Sequence, residues 1–176
     1  MGLERGYIHV YTGNGKGKTT AAFGLALRAA GQGLKVVIIQ FLKGKSDTGE
    51  VKAASCLSPR LSIHTTGDPG FVPNGQPGEH DGILARNAFD LARRIAMEGS
   101  TDLLILDEIN VAVAHGLVAE ECVLSLMEEK PPLLELVLTG RNATPGVIER
   151  ADLVTEMREV KHYFKRGVMA RHGIEK

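Results

Sequence analysis

The strongest constraint on the fold is a glycine-rich loop near the start of the chain, between a β-rich run and a helix-forming run. Residues 7–12 read YIHVYT, and residues 18–33 form an Ala- and Leu-rich pattern that ends at two glycines. Between them, Gly13, Gly15 and Gly17 free the backbone, so that successive N–H groups can point at one anion. A strand, a glycine loop and a helix in this order predict a phosphate-binding loop.

The loop departs from its usual form, G-x-x-x-x-G-K-[ST], because Thr12 stands where the first glycine is expected. The second half is intact, and the positive end of the following helix would add to phosphate binding. We predict that Lys18 and Lys16 neutralise phosphate charge and that the hydroxyl of Thr19 or Thr20 holds Mg²⁺. A glycine-rich turn without a ligand is the other interpretation.

The remainder of the chain alternates apolar runs with helical patterns. This alternation predicts an α/β fold with a mostly parallel central sheet flanked by helices, in a single domain over residues 1–176. The region 67–78 is rich in Gly and Pro and is predicted to be a loop. Further strands are expected over residues 35–41, 60–66, 102–108, 134–140 and 152–162, and further helices over 80–98, 119–129 and 145–151.

Polar side chains follow two of the predicted strands, at the edge where open α/β sheets bind ligands. Asp107 and Glu108 end the run LLILDE, and Asp107 is predicted to hold Mg²⁺. Gln40 and Lys43 lie at the end of the preceding strand and just beyond it, and we expect them near the nucleotide. A helix cap or a surface acid is the alternative for the two carboxylates, and a solvated loop lysine is the alternative for Lys43.

Charge and composition argue against several classes of protein. Lys plus Arg and Asp plus Glu both number 21, and this balance argues against a nucleic-acid partner bound through bulk electrostatics. No apolar run approaches the ~20 residues of a membrane span. The first residues show no signal-peptide pattern, so we expect a cytoplasmic protein. Cys56 and Cys122 show no metal-ligand spacing and are predicted to be reduced, buried thiols.

Four stretches together resemble a known family, the P-loop type of corrinoid adenosyltransferase. They are residues 12–44, 103–118 (LLILDEINVAVAHGLV), 136–143 (LVLTGRNA) and 151–176. The closing VKHYFKRGVMARHGIE is specific to that family, because general P-loop ATPases do not end in this way. The resemblance covers nearly the whole chain and implies a RecA-like P-loop fold and a homodimer.

The resemblance also implies an activity. Family members transfer the 5′-deoxyadenosyl group of ATP to the Co(I) centre of a reduced corrinoid and release tripolyphosphate, assisted by Mg²⁺ or Mn²⁺. A flavodoxin-like or other reductase would supply Co(I). The nucleotide lies in reverse polarity, with its terminal phosphate where common NTPases hold the α-phosphate. We expect nucleotide contacts from Gly13, Asn14, Gly15, Lys16, Gly17, Lys18, Thr19 and Thr20.

The implied chemistry assigns roles to the charged residues of the site. Cobalt is the nucleophile and no proton has to be removed, so no general base is required. Lys16 and Lys18 would act catalytically by stabilising the departing triphosphate. Glu108 is then expected to be a ligand of the metal or of its water shell, together with Thr19 and Asp107.

Three further candidates depend on position and on the resemblance. Arg28, on the first helix, is expected to reach the nucleotide unless it is a surface arginine, and Arg141 is expected to meet phosphate or ribose. Phe71 matches an aromatic residue that the family places against the lower face of the corrin. Pro73 stands where the family has Trp, and the chain contains no Trp. Either lower-ligand displacement works differently here or the preferred corrinoid is an incomplete precursor.

Two other function classes stay open at this point. A P-loop ATPase or small-molecule kinase would release ADP or orthophosphate, and a non-catalytic corrinoid carrier would bind ATP without turning it over. The basic tail, residues 161–176, is either a solvated tail or a part of the site. The six histidines are scattered and form no metal-ligand pattern.

Overall fold

A computed structural model describes residues 2–44, 48–67 and 78–175, which form one six-stranded sheet with helices on both faces. The strands are β1 Ile8–Thr12, β2 Val36–Phe41, β3 Leu61–Thr66, β4 Leu103–Asp107, β5 Glu135–Thr139 and β6 Leu153–Glu156. The helices are α1 Lys18–Gly31, α2 Gly49–Ser55, α3 Glu79–Met97, α4 Ile109–Ala114, α5 Glu120–Glu129 and α6 Pro145–Arg150.

The strands lie in the order β3-β2-β4-β5-β1-β6, and every neighbouring pair is parallel. All carboxyl ends therefore meet at one edge of the sheet. The chain runs from β1 through α1 to β2, and β4 and β5 lie between these two strands in the sheet. The crevice at the carboxyl ends of the strands is therefore a topological switch point. The glycine loop after β1 and the acids at the end of β4 are thereby brought to the same crevice.

Successive side chains along the central strands point to opposite faces of the sheet, so they contribute to two hydrophobic cores. In β2, Val37, Ile39 and Phe41 belong to the core that the sheet forms with α3, α4, α5 and α6 on one face, whereas Val36 and Ile38 belong to the core formed with α1 and α2 on the other. All six residues of β2 are buried, as expected of a strand covered on both faces. The α/β prediction and the strand and helix types that it named are confirmed.

Two predictions about the chain were wrong. The last strand ends at Glu156 instead of continuing to residue 162, because the backbone of Met157 leaves the strand to bind the glycine loop. Cys56 and Cys122 are both exposed, because they lie at the end of α2 and in the first turn of α5, on surfaces turned away from the cores.

The short helices α2 and α4 were not predicted. Among the described residues, no helix is long and apolar enough to span a membrane.

Gly6, which lies just before β1, provides a test of the packing at the amino end of the sheet. Its N–H donates to the carbonyl of Pro132 at 2.7 Å, and a Cβ at this position would lie 2.1 Å from the carbonyl oxygen of Leu134. We expect Gly6→Ala to lower the free energy of unfolding by about 1–3 kcal/mol, the usual cost of overpacking.

Gly24→Ala is the matched control, because Gly24 lies in α1 and a Cβ added there would have no other atom within 4 Å. That change should raise the stability by roughly 0.5–1 kcal/mol through the better helix propensity of Ala. Urea unfolding of the two variants measures both effects. Equal stabilities of Gly6→Ala and the parent would contradict the packing described at Gly6.

Candidate nucleotide site

The glycine loop is held from behind by the segment that follows β6. The N–H of Met157 donates to the carbonyl of Thr12 at 2.8 Å, and the N–H of Gly15 donates to the carbonyl of Met157 at 2.6 Å. A Cβ on Gly15 would lie 2.7 Å from that carbonyl, so only glycine permits this approach. The buried Thr12 hydroxyl accepts the N–H of Ala143 at 3.3 Å. Thr12 thus ties the loop to the segment after β5.

This arrangement corrects one expectation about the loop. The N–H of Gly15 is engaged by Met157 and is not free for phosphate. Gly17, with φ +117°, adopts a left-handed conformation that turns the chain into α1. The N–H groups of residues 18–20 open the helix and have no intrahelical partner, so they are the donors available to an anion.

Lys18 is the buried cation of the loop. Its Nζ donates to the carbonyl oxygens of Gly13 and Gly15, each at 2.8 Å, and the residue is only 7% exposed. Burial lowers the pKa of the ammonium below its ordinary value, and the Glu108 carboxylate opposes that effect. The lysine is therefore held beneath the glycine loop by the loop's own carbonyls.

Asp107 is the centre of a polar cluster at the carboxyl end of β4. The carboxylate is fully buried and accepts four hydrogen bonds: from Thr19 Oγ1 at 2.9 Å, Thr139 Oγ1 at 2.8 Å, Gln40 Nε2 at 3.1 Å and Lys43 Nζ at 2.7 Å. Burial acts to raise the pKa of Asp107, but the Lys43 charge and the hydrogen bonds outweigh it, so the pKa falls below its ordinary value. The carboxylate stays ionised.

Glu108 follows in a left-handed conformation, with φ +67°, which is uncommon for a residue with a side chain. Its N–H donates to Thr139 Oγ1 at 3.0 Å, so one hydroxyl contacts both the Asp107 carboxylate and the Glu108 backbone. Burial and the adjacent Asp107 charge raise the pKa of Glu108 above its ordinary value. Sequence reasoning missed Thr139, because its contact with Asp107 joins two strands that lie 32 residues apart.

The raised pKa of Glu108 predicts a gain in stability when its charge is removed. An acid whose pKa rises on folding destabilises the folded state once the pH climbs above its ordinary value, 4.5. We expect Glu108→Gln to raise Tm at pH 7 by a few degrees, since about 1 kcal/mol corresponds to roughly 2–4 °C in a chain of this size. The gain should shrink as the pH falls through the raised folded pKa toward 4.5 and should be lost below 4.5.

Thermal unfolding between pH 4 and pH 8 measures this effect, with the exposed Glu149→Gln as the control. A gain for Glu108→Gln that did not change across this range, or a loss at pH 7, would contradict the electrostatic account of Glu108.

A cleft of about 590 Å³ brings most of the expected site residues together. Asp107 lies beneath it. Among the residues predicted from the sequence, those that line it are Asn14, Gly15, Lys16, Gly17, Lys18, Thr19, Thr20, Gln40, Lys43, Glu108 and Arg141. Gly13 contributes its carbonyl to Lys18. The loop cations, the acid pair and Arg141 therefore surround one volume.

One expected residue that the structure describes lies away from this cleft. Arg28 lies in the last turn of α1, about 15 Å along the helix from Lys18, and does not line the cleft. The exposed position of Arg28 fits the surface-arginine alternative. Phe71 lies outside the described residues.

The tail forms one wall of the cleft, which sequence reasoning left undecided. His162, Ile174 and Glu175 of the tail line it, together with Glu159 just before the tail. Lys16 Nζ donates to the carbonyl of Ile174 at 3.2 Å and lies 3.9 Å from Glu175 Oε1. The tail is thus a part of the site.

A local cluster fixes the end of the tail. Glu175 accepts hydrogen bonds from the hydroxyl of Tyr163 and, at 3.1 Å, from the guanidinium of Arg171, which lies 5.1 Å from the centre of the Tyr163 ring. The bonds from Arg171, followed by that from Tyr163, lower the pKa of Glu175 to about 2. Glu175 is therefore an anion beside the loop cation Lys16.

The donor set at the acid pair fits Mg²⁺ or Mn²⁺. Within residues 2–44, 48–67 and 78–175, no group of three His, Cys, Asp or Glu side chains could hold a metal ion. Mg²⁺ in nucleotide sites, however, uses one or two carboxylates with phosphate oxygens and water. Thr19, Asp107 and Glu108 offer such a set. The buried Gln40 Oε1 has no hydrogen-bond partner among the described residues, so it could accept from a metal-bound water.

Comparison with solved structures identifies the fold. A KaiC-like protein of Pyrococcus horikoshii superimposes with a TM-score of 0.57 over 90% of this chain and 75% of that chain, at 17% sequence identity. This likeness concerns the fold alone, and it supports the expected RecA-like P-loop architecture.

Comparison with known sequences identifies the family. A corrinoid adenosyltransferase of Pseudomonas aeruginosa is 41% identical over 172 residues, which cover 98% of this chain and 84% of that protein. The corrinoid adenosyltransferase of Escherichia coli K12 is 40% identical over 172 residues, with 98% and 86% covered. The family model described as ATP:corrinoid adenosyltransferase BtuR/CobO/CobP matches residues 4–175. With the phosphate loop, the acid pair and the tail in one cleft, this chain belongs to the ATP:corrinoid adenosyltransferase family.

Proposed function

We propose that this ATP:corrinoid adenosyltransferase transfers the 5′-deoxyadenosyl group of ATP to the Co(I) centre of a reduced corrinoid and releases tripolyphosphate. One observation carries the proposal: the tail, whose sequence is specific to the family, folds onto the glycine loop and lines the cleft through His162, Ile174 and Glu175. The most family-specific part of the chain is therefore also a part of the nucleotide site.

The residues of the cleft suit a reaction whose main demand is a stabilised leaving group. The Co(I) substrate supplies the electron pair of the new Co–C bond, the bond between C5′ and its phosphate oxygen breaks, and the triphosphate leaves with that bond's electrons. No proton is transferred in this step. Lys18, Arg141 and the N–H groups of residues 18–20 line the cleft and would hold the departing anion.

Thr19, Asp107 and Glu108 would hold Mg²⁺ or Mn²⁺, and the bound ion would neutralise part of the charge that develops on the triphosphate. The low pKa of Asp107 keeps one carboxylate ionised for this purpose. The proposal includes a homodimer, a cytoplasmic location, a reductase such as a flavodoxin-like protein that supplies Co(I), and a place in adenosylcobalamin biosynthesis or salvage.

The test is to incubate the protein with ATP, Mg²⁺ and chemically reduced cob(I)alamin in the dark under anaerobic conditions. The expected product has a light-sensitive Co–C bond, and its absorption spectrum changes on illumination. If ATP is bound but no such product forms, either with cob(I)alamin or with a reduced precursor lacking the lower ligand, the transfer proposal fails and a non-catalytic corrinoid carrier is favoured.

A P-loop ATPase or small-molecule kinase is the second candidate, and the position of Glu108 favours it. This carboxylate directly follows the acid expected to hold the metal, and it lines the cleft, so it could orient or deprotonate an attacking water. In a hydrolase that uses Glu108 as a base, Glu108→Gln should lower the rate of ADP release by about 10²–10⁴-fold. In the transferase, where no proton is removed, we expect a much smaller loss of adenosyl transfer.

A further inference from the structure

Lys43 is the feature of the site that the reaction described above does not use. Its Nζ lies 2.7 Å from Asp107 Oδ2, and it is the only charged side chain among the four donors to this carboxylate. Lys43 neutralises the buried charge of Asp107, which is the charge that would otherwise attract a divalent cation.

We propose that Lys43 makes the divalent-cation site at Asp107 conditional on the triphosphate. Lys43 and the cation are competing partners of one carboxylate, and the ammonium leaves Asp107 for the phosphates when ATP binds. The inference rests on the proposed function, because it takes the triphosphate of ATP to be the anion that occupies the cleft. It assigns Lys43 the role of a positioning residue that couples metal binding to nucleotide binding.

The charges of the site support competition between Lys43 and the metal. An ion held by Thr19, Asp107 and Glu108 has to share the Asp107 carboxylate with an ammonium. A unit charge and a divalent charge a few ångströms apart repel strongly, even at the effective dielectric constant of about 20 that suits protein sites. Lys43 therefore weakens metal binding as long as it stays on Asp107.

The geometry allows the side chain to move while its backbone stays in place. The Lys43 side chain is 34% exposed and lines the same cleft as the phosphate loop. Its backbone packs closely on the segment after β3, because a Cβ on Gly67 would lie 2.8–2.9 Å from Lys43 backbone atoms. The preceding Leu42 adopts a left-handed conformation, with φ +59°. A long lysine stem on a fixed backbone can exchange a carboxylate for a phosphate.

Such an exchange has a thermodynamic consequence. If the triphosphate removes Lys43 from Asp107, nucleotide strengthens metal binding and metal strengthens nucleotide binding by the same factor. Removal of the Lys43 ammonium should weaken this coupling. Without nucleotide, the metal should bind more tightly because it has lost a competitor. Without metal, the triphosphate should bind more weakly because it has lost a cation.

The test uses Lys43→Met, which keeps most of the length of the side chain and removes its charge. Mn²⁺ binding is measured in the absence of nucleotide by electron paramagnetic resonance, and ATP binding is measured in EDTA by calorimetry. We expect the variant to bind Mn²⁺ about tenfold or more tightly than the parent and to bind metal-free ATP several-fold more weakly. Lys35→Met, at the opposite end of β2, is the matched control and should change neither constant.

Either of two results overturns the inference: Mn²⁺ affinity of Lys43→Met within twofold of the parent or weaker, or ATP affinity in EDTA that does not change. If Lys43→Met does not fold, the same two measurements are made on Lys43→Gln, which keeps an N–H donor for Asp107. No corrinoid is present in either measurement. A failure of the Lys43 inference is therefore distinguishable from a failure of adenosyl transfer.

Discussion

Replacing Lys18 with methionine is expected to lower kcat/KM for ATP in the adenosyl transfer assay by roughly 10²–10³-fold, the effect of removing one preorganised group that stabilises a developing anion. Lys18 is buried beneath the glycine loop and is held by two loop carbonyls at 2.8 Å, so its ammonium is already oriented before the triphosphate leaves. Methionine fills a similar volume and removes only the charge.

Substitutions of two other lysines show whether the loss of kcat/KM depends on the buried position of Lys18. Lys16→Met should have a smaller effect, because the Lys16 side chain is 44% exposed and contacts the tail at Ile174 and Glu175. Lys35→Met changes the net charge equally but lies at the opposite end of β2, and it should leave the rate unaltered. If Lys18→Met kept a rate within twofold of the parent, the assignment of the phosphate site to this loop would be wrong.

Asp107→Asn is expected to impair both stability and transfer. An amide carries no charge for Lys43, and its NH₂ group would face donors that now bond to the carboxylate. Unpaired buried donors cost about 1–3 kcal/mol, so we expect a loss of roughly 3 kcal/mol in the free energy of unfolding. Transfer should fall by at least about 10²-fold, since the variant loses the ionised ligand expected to hold the metal.

The pH dependence of Asp107→Asn follows from the lowered pKa of Asp107. A carboxyl whose pKa falls on folding contributes stability above its ordinary value, 3.8, and that contribution is lost as the pH drops through the lower folded value. The stability difference between parent and variant should therefore be full at pH 6 and should decrease below pH 4. Urea unfolding at several pH values measures it, and the exposed Asp90→Asn serves as the control. A difference that did not vary with pH would argue against an ionised Asp107.

The parts of the site that could be predicted from the sequence are those encoded locally. The glycine loop between β1 and α1 and the acids at the end of β4 are contiguous stretches with a distinct pattern. Parallel strands then place both at the same sheet edge, so their proximity follows from the fold class. Gln40 and Lys43 were expected near the nucleotide for the same reason, and both line the cleft.

The parts that could not be predicted depend on contacts between distant segments. The bond of Lys16 to Ile174 joins residues 158 positions apart, and no local pattern encodes that pairing. Thr139 resembles any strand-end threonine until β5 is placed beside β4. The departure at Thr12 has a physical reason that appears only in three dimensions, because its hydroxyl binds the N–H of Ala143. The exposure of Cys122 depends on which face of α5 packs on the sheet.

The leaving group is the central claim, and phosphorus-31 NMR of the complete reaction tests it most directly. The protein is incubated with ATP, Mg²⁺ and a slight excess of reduced corrinoid, and the phosphorus products are quantified against the adenosylated corrinoid formed. We expect one intact tripolyphosphate for each Co–C bond formed, with no ADP. Release of ADP and orthophosphate in its place would contradict it, and would show that this loop serves phosphoryl transfer or hydrolysis.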